Sequence, residues 1–351
     1  MYIKLFKHIF YKIVKFIYNI RIIINMIKKL DVKDRKILYE LDVSSRQTNS
    51  EIAKKVGLSK QVVGFRIKRL IEEKIISFFY SVIDISKLGF TVHKNFLRLQ
   101  NLDREKEKEL IDFLVNHPNI VWVASCDGRF DLAFGTWAKD MAFLDKTITE
   151  LNKKFGKYIA ERQIATIIRG DYFIRDYLIK REKPSPYRES FFGAVPAPVK
   201  MDRNDWEILV LLSKNSRITA VDISKKVKLS VDAIAKRIKK LEKSGVIKHY
   251  NIVPNEAKFP YLHYKVLIGF RNISEDRERS IREYCRNNPN IVYIVKSLGQ
   301  WEFEVDLEVE STEQFREIMM DIKTKFNDIL KDYSALHIYQ AHKYNFCPSI
   351  G

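Results

Sequence analysis

The chain has 351 residues, 46% of them hydrophobic, with 63 Lys and Arg against 44 Asp and Glu, a net charge of +19 and a pI near 9.6. That length suggests two or more domains, and that charge favours an anionic partner, either nucleic acid or a membrane surface. Cys126, Cys285 and Cys347 are far apart and odd in number, which excludes a disulfide framework or a CxxC site and points to a reducing cytoplasm.

Residues 1–26 form a basic, apolar extension with cations at Lys4, Lys7, Lys12, Lys15 and Arg21 and no acidic residue before Met26. Those cations interrupt any run long enough to span a bilayer, so no membrane partner is expected. The segment suits a basic amphipathic helix, but its Ile, Lys, Phe, Tyr and Asn content reads more simply as a misplaced start ahead of Met26.

From residue 27 the chain is one unit written twice. Asp31 matches Asp202, Arg46 matches Arg217, Ser59 matches Ser230 and Leu70 matches Leu241, each pair 171 positions apart. The register persists downstream: "NHPNIV" (116–121) becomes "NNPNIV" (287–292), and Gly128 becomes Gly299. A gapless register of this length marks a tandem duplication. The two units are joined by "KPSPYRESFFGAVPAPVK" (183–200), read as a Pro-rich, extended linker within 181–200.

In residues 27–90, "DVKDRKILYEL" is expected to form a helix burying Ile37, Leu38 and Leu41. A polar break, "SSRQTN", precedes a short helix with Ile52 and Val56 on one face. Gly57 permits a tight turn, and Ser59 is a good N-cap for "KQVVGFRIKRLIEE". A strand-like run, "KIISFFYSVI", follows. Three helices and a strand with this turn length predict a winged helix-turn-helix, repeated over 201–260. The stripe Val63, Ile67, Leu70 must face inward, leaving the third helix's cations for DNA. Candidate DNA-contacting residues are Ser59, Lys60, Gln61, Phe65, Arg66, Lys68 and Arg69 in the first unit. In the second they are Ser230, Asp232, Lys236, Arg237, Lys239 and Lys240. The first helical turn is assigned to base edges, and the later cations to phosphates. Arg46 and Arg217, in the polar break, suit either a phosphate contact or a brace for the turn between helices, and the brace is the favoured reading.

Residues 91–180 change pattern. A strand at 91–99, a helix at 103–117, two strands joined by "CDGR", a helix at 140–155 and a strand at 158–168 give the order β-α-β-β-α-β. Residues 261–345 repeat it, and 346–351 form a tail. The expected class is α+β: two winged helix-turn-helix domains and two ferredoxin-like βαββαβ domains in tandem, with the βαββαβ modules pairing face to face, within or between chains.

The motifs "LDVKDRKIL", "SEIAKKVGLS", "RIKRLIEEKII" and, in the second unit, "MDRNDWEIL" and "RIKKLEKSGVI" resemble the DNA-binding domain of the leucine-responsive regulatory protein/AsnC family of transcription regulators. The βαββαβ module is similar to that family's amino-acid-sensing domain. The family's Gly-x-x-Asp turn matches "GRFD" (128–131), and stands as "GQWE" (299–302) in the second unit. The resemblance implies an effector, such as an amino acid, near Gly128, Asp131, Gly299 and Glu302. As hairpin turns, the same residues need no ligand. The chain departs from the family in fusing two units.

No cofactor or metal is expected: His337, His342 and Cys347 lack zinc-ligand spacing. Two other readings stay open. One is a tetrapyrrole decarboxylase of the sirohaem type on the same fold, which "IVWVASCDGRFDLAFGTW", with no His and one Arg, argues against. The other is an assembly scaffold whose helix-turn-helix fronts no longer bind DNA. A DNA-binding, cytoplasmic transcription regulator is the principal reading.

Overall fold

The computed structural model describes residues 30–181, 184–185, 189–193, 196–345 and 347–348. The basic N-terminal extension read as a start artefact lies outside these residues.

Each unit begins with three helices. In the first unit α1 (Val32–Val43), α2 (Asn49–Val56) and α3 (Lys60–Glu72) lead into strand β1 (Ile76–Ile83). Asp31 caps α1 through a capping box with Asp34, and Thr48 caps α2 through one with Glu51. These caps satisfy amide donors that helix starts leave open. Ile37, Leu41, Ile52, Val63 and Leu70 share one core. A short 3-10 turn, Ile85–Leu88, closes the domain.

The rear module follows with β2 (Thr91–Leu99), α4 (Arg104–Asn116), β3 (Ile120–Asp127), β4 (Leu132–Ala138), α5 (Met141–Phe155) and β5 (Ile159–Phe173). A short strand, β6 (Glu189–Gly193), lies in the segment between units. The second unit gives α6 (Arg203–Lys214), α7 (Ala220–Val227), α8 (Val231–Lys243) and β7 (Ile247–Pro254). Then come β8 (Leu262–Phe270), α9 (Glu275–Asn287), β9 (Ile291–Leu298), β10 (Phe303–Val309), α10 (Thr312–Lys325) and β11 (Leu330–Tyr344).

The two rear modules merge edge to edge, not face to face. The order β2-β4-β3-β11-β8-β10-β9-β5 is closed by pairing of β5 with β2, and β6 adds to β5. The join depends on the last strand of each module. Each has 15 residues, more than one module needs. The first part of β5 pairs with β2 of its own unit, as in His93↔Thr166, and its second part pairs with β9 of the other, as in Asp171↔Ile294. Similarly β11 pairs with β8 and then with β3. Each exposed sheet edge is thereby covered by the other unit.

Strands β4 and β10 are buried on both faces, and β3 nearly so, whereas β5 and β11 are partly exposed. Leu97, Val123, Leu132 and Phe134 pack outward under α4 and α5, while Val305, Leu307 and Phe303 pack under α9 and α10. The lumen holds Phe96, Trp122, Phe130, Trp137, Leu267 and Trp301.

The segment between units is more structured than its prolines suggest. Besides β6, the Ala197 and Val199 amides donate to the carbonyls of Ser86 and Lys87, fastening it along the 3-10 turn. Proline lacks an amide donor but leaves alternate residues able to pair.

Candidate nucleic-acid interface

In α3, the Ser59 Oγ accepts from the Val62 amide at 3.2 Å; in α8, Ser230 does the same for Ala233. The turn before α3 holds Gly57 at φ +65°, where a left-handed conformation is inexpensive. The second unit places Lys228 there at φ +58°, a departure from the glycine of the first copy. Val63, Ile67 and Leu70 are buried, as are Ile234, Ile238 and Leu241.

The outer faces differ between units. On α3, Lys60, Gln61, Phe65 and Lys68 are exposed, with Val62 at 39% and Phe65 at 68% of full exposure. On α8, Val231, Asp232, Lys236 and Lys239 are exposed.

The arginines assigned to phosphates are engaged within their own domain. Arg66 Nη1 lies 2.7 Å from Asp31 and 2.8 Å from Asp34, and Arg69 Nη2 lies 2.5 Å from Asp34. The second copy repeats the arrangement: Arg237 pairs with Asp202 and Asp205, and Lys240 with Asp205 at 3.0 Å. These pairs tie the third helix to the N-terminus of the first. Partial burial works against its charge, yet hydrogen bonds from Arg66 and the Asp34 backbone hold the Asp31 carboxyl below its usual range. Among the described residues, Lys68 meets only Glu72, at 3.7 Å, between two exposed side chains. A pair of that kind is weak in water.

The two helix-turn-helix domains are joined through their polar breaks and wings. Arg46 donates to the Ser216 and Ile218 carbonyls at 2.6 and 3.0 Å, while Arg217 donates to those of Ser45 and Gln47 at 2.6 and 3.0 Å. Ser45 and Ser216 hydroxyls meet at 2.5 Å on the pseudo-dyad. Strands β1 and β7 pair antiparallel, with Tyr80 opposite Asn251. The arginines thus brace the opposite unit, a contact that sequence spacing alone does not reveal.

The hairpin residues assigned to an effector serve the ring. Gly128 has φ +133°, and a Cβ there would meet the Ala335 carbonyl oxygen at 2.7 Å; at Gly299 it would meet that of Ile164 at 2.8 Å. Each glycine therefore lets one unit's hairpin approach the other unit's last strand. Asp131 accepts from the Leu99 amide at 2.6 Å and Glu302 from the Phe270 amide at 2.9 Å, so the longer side chain keeps the same role.

Sequence reading missed the charged groups of the lumen. Lys94 donates to Glu304 at 2.6 Å, Lys265 lies 2.7 Å from both Asp306 oxygens, and His263 Nε2 lies 2.9 Å from Asp306. The alternation His263, Lys265 on one strand and Glu304, Asp306, Glu308 on another was the available signal. It also corrects the argument from the first unit's strands, because the histidine and lysines come from β2 and β8. Burial opposes both lysine charges. It wins at Lys94, whose amine is lowered, whereas Asp306 and Glu304 hold that of Lys265 above its usual value.

A second cluster links the first helix-turn-helix to the second rear module. Arg175 donates to Asp42 at 2.6 Å and to both Glu308 oxygens at 2.8 and 2.9 Å. Tyr172 donates to Asp42 at 2.7 Å, and Tyr177 donates to Glu308. His337, His342 and Cys347 go to separate places: His337 beside Tyr264, His342 on Ser125 at 2.8 Å and Cys347 in the second helix-turn-helix core.

A family model described as winged helix-turn-helix DNA-binding matches residues 30–77 and again 201–248. An HTH-type transcriptional regulator of Mycobacterium tuberculosis is 29% identical over 140 residues, covering 40% of this chain and 92% of that protein. The transcriptional regulator AzlB of Bacillus subtilis is 31% identical over 113 residues, 32% of this chain and 72% of AzlB. The chain belongs to the leucine-responsive regulatory protein/AsnC family. Within that family it is a tandem form. Its whole-length fold is similar to the crystal structure of the siroheme decarboxylase NirDL, with a TM-score of 0.58 over 92% of this chain and 95% of that one, at 14% identity. Among the described residues, no helix is long and apolar enough to cross a membrane.

Proposed function

We propose that this chain is a sequence-specific, double-stranded-DNA-binding transcription regulator of the cytoplasm, acting as a pseudo-dimer within one polypeptide. The observation that carries this reading is the pair of capped third helices with exposed outer faces, held on domains that β1, β7, Arg46 and Arg217 lock together. Base edges fall to Lys60, Gln61 and Phe65 on α3, and to Asp232 and Lys236 on α8. Gln61 suits adenine, Lys60 suits guanine, and Asp232 can only accept, as from cytosine N4. Lys68 and Lys239 remain for phosphate. With Arg66, Arg69, Arg237 and Lys240 held by aspartates, Ser59 and Ser230 act as helix caps. Unlike helices read unlike half-sites, so the operator is asymmetric. Selection from random DNA tests this, and recovery of a palindrome with identical halves bound by one chain would overturn it.

A small effector such as an amino acid at Gly128 and Gly299 would meet backbone groups first, because Asp131 and Glu302 already hold amides. The fold shared with NirDL favours a second reading, a tetrapyrrole enzyme. Against it, Lys94, Lys265 and Arg175 are all paired with carboxylates of the chain itself, leaving little charge for a polycarboxylate. Incubation with sirohaem decides between them: a stoichiometric Soret band that survives gel filtration supports the enzyme.

A further inference from the structure

Beneath strand β1 the lumen opens into a cavity of about 80 Å³. Tyr80 and Val82 of β1 line it from above, and Val92, Lys94, Trp122 and Asp306 from the barrel. The duplication has diverged here. Val92, Ala133 and Gly135 of the first unit correspond, 171 positions on, to His263, Glu304 and Asp306 of the second. Small or apolar residues therefore face acidic and imidazole groups across the pseudo-dyad. Lys94 and Lys265, by contrast, are retained in both copies.

We propose that this cavity binds a small, neutral, mostly apolar molecule carrying one carbonyl oxygen, a ketone or aldehyde of about three to four heavy atoms. The size follows from volume, since an apolar cavity of roughly 150 Å³ takes benzene and this one has about 80 Å³. The chemistry follows from Lys94. Its ammonium has three donors. One goes to Glu304 at 2.6 Å, and the group sits 5.8 Å from the Trp122 ring centroid, leaving donor capacity at the cavity wall. The charges around it already balance, with Lys94 and Lys265 against Glu304 and Asp306. A ligand carboxylate would add an uncompensated buried charge, whereas a carbonyl accepts a hydrogen bond without one. Tyr80, Val82, Val92 and Trp122 supply the apolar walls.

The test uses the full chain and a matched pair of probes, acetone and acetate, which differ by a methyl group in place of a carboxylate oxygen. Ligand-detected NMR titration should give the ketone a Kd in the millimolar range, about −4 kcal/mol, and acetate at least about tenfold weaker binding. Val92→Phe fills the cavity and should abolish ketone binding. The double variant Lys94→Met/Glu304→Gln removes the donor without stranding its carboxylate, and should weaken the ketone about tenfold. It decides the matter if Val92→Phe does not fold. Equal binding of the two probes, unchanged binding in the double variant, or no ketone binding at about 20 mM overturns the proposal. No DNA enters the measurement, so its result is independent of the operator experiment.

Discussion

Arg175 is buried between two carboxylates that belong to different units, Asp42 on α1 and Glu308 on β10. Such a group is costly to desolvate and more costly to remove, because its partners are then left charged and unpaired. Arg175→Ala is expected to destabilise the protein by about 3–5 kcal/mol, read as a fall in the urea midpoint. A half-buried histidine that also contacts Asp42 sets a pH dependence. Burial lowers the folded-state pKa of His249, whose Nε2 lies 2.8 Å from the Asp42 carbonyl. A lowered base favours the neutral form, so its contribution is full above the unfolded value near 6.5 and is lost as pH falls below it. Burial opposes the charge of Glu308 and Asp306, but Arg175 and Lys265 respectively hold both below the usual carboxylate range. Their contribution persists until pH falls below about 4. Urea melts between pH 7.5 and 5.5 should show falling stability in the wild type and a smaller fall in His249→Gln.

The third helix of each front carries two kinds of cation. Those in its later turns, Arg66, Arg69, Arg237 and Lys240, are paired with aspartates at the start of the first helix. Those outside these pairs, such as Lys60 and Lys239, are the cations we propose for DNA. Gln61→Ala should therefore cost about 1–3 kcal/mol and relax one half-site only, while Lys239→Ala should weaken all sequences alike and reduce the salt slope by about one. Fluorescence anisotropy on selected and scrambled duplexes at several salt concentrations separates the two. The helices themselves were readable from Ser caps, the Gly57 turn and the four-three spacing of apolar residues. The pairing of their arginines was not. A basic residue on a helix surface looks the same in sequence whether an aspartate lies against it or not.

At the scale of the molecule, the rear modules form one ring because β5 and β11 each serve both units. A single half would leave one edge of β3 or β9, and one edge of the far part of its last strand, without a partner. Halves comprising residues 30–193 and 196–351 are expected to copurify as a 1:1 complex when coexpressed, and either half alone to self-associate. Size-exclusion chromatography with light scattering checks this, and a monomeric half at micromolar concentration would sink the ring as a unit of stability.

The sequence by itself determined the duplication, the two helix-turn-helix fronts and the β-α-β-β-α-β order. These rest on local patterns: a 171-residue register, caps, turns and periodicity, all of which act between near neighbours in the chain. Only the tertiary structure decided what the duplication is for. Ser45 meets Ser216, Arg46 and Arg217 exchange turns, and Gly128 lets a hairpin reach the backbone at Ala335. It also brought Lys94, His263, Lys265, Glu304 and Asp306 into one lumen, although an alternating strand cannot reveal whether its charged face meets water or another strand's counter-charges. The physical reason is the same throughout. Local propensity fixes the elements, but burial and charge pairing across more than a hundred residues depend on which edges close, and that is set by packing.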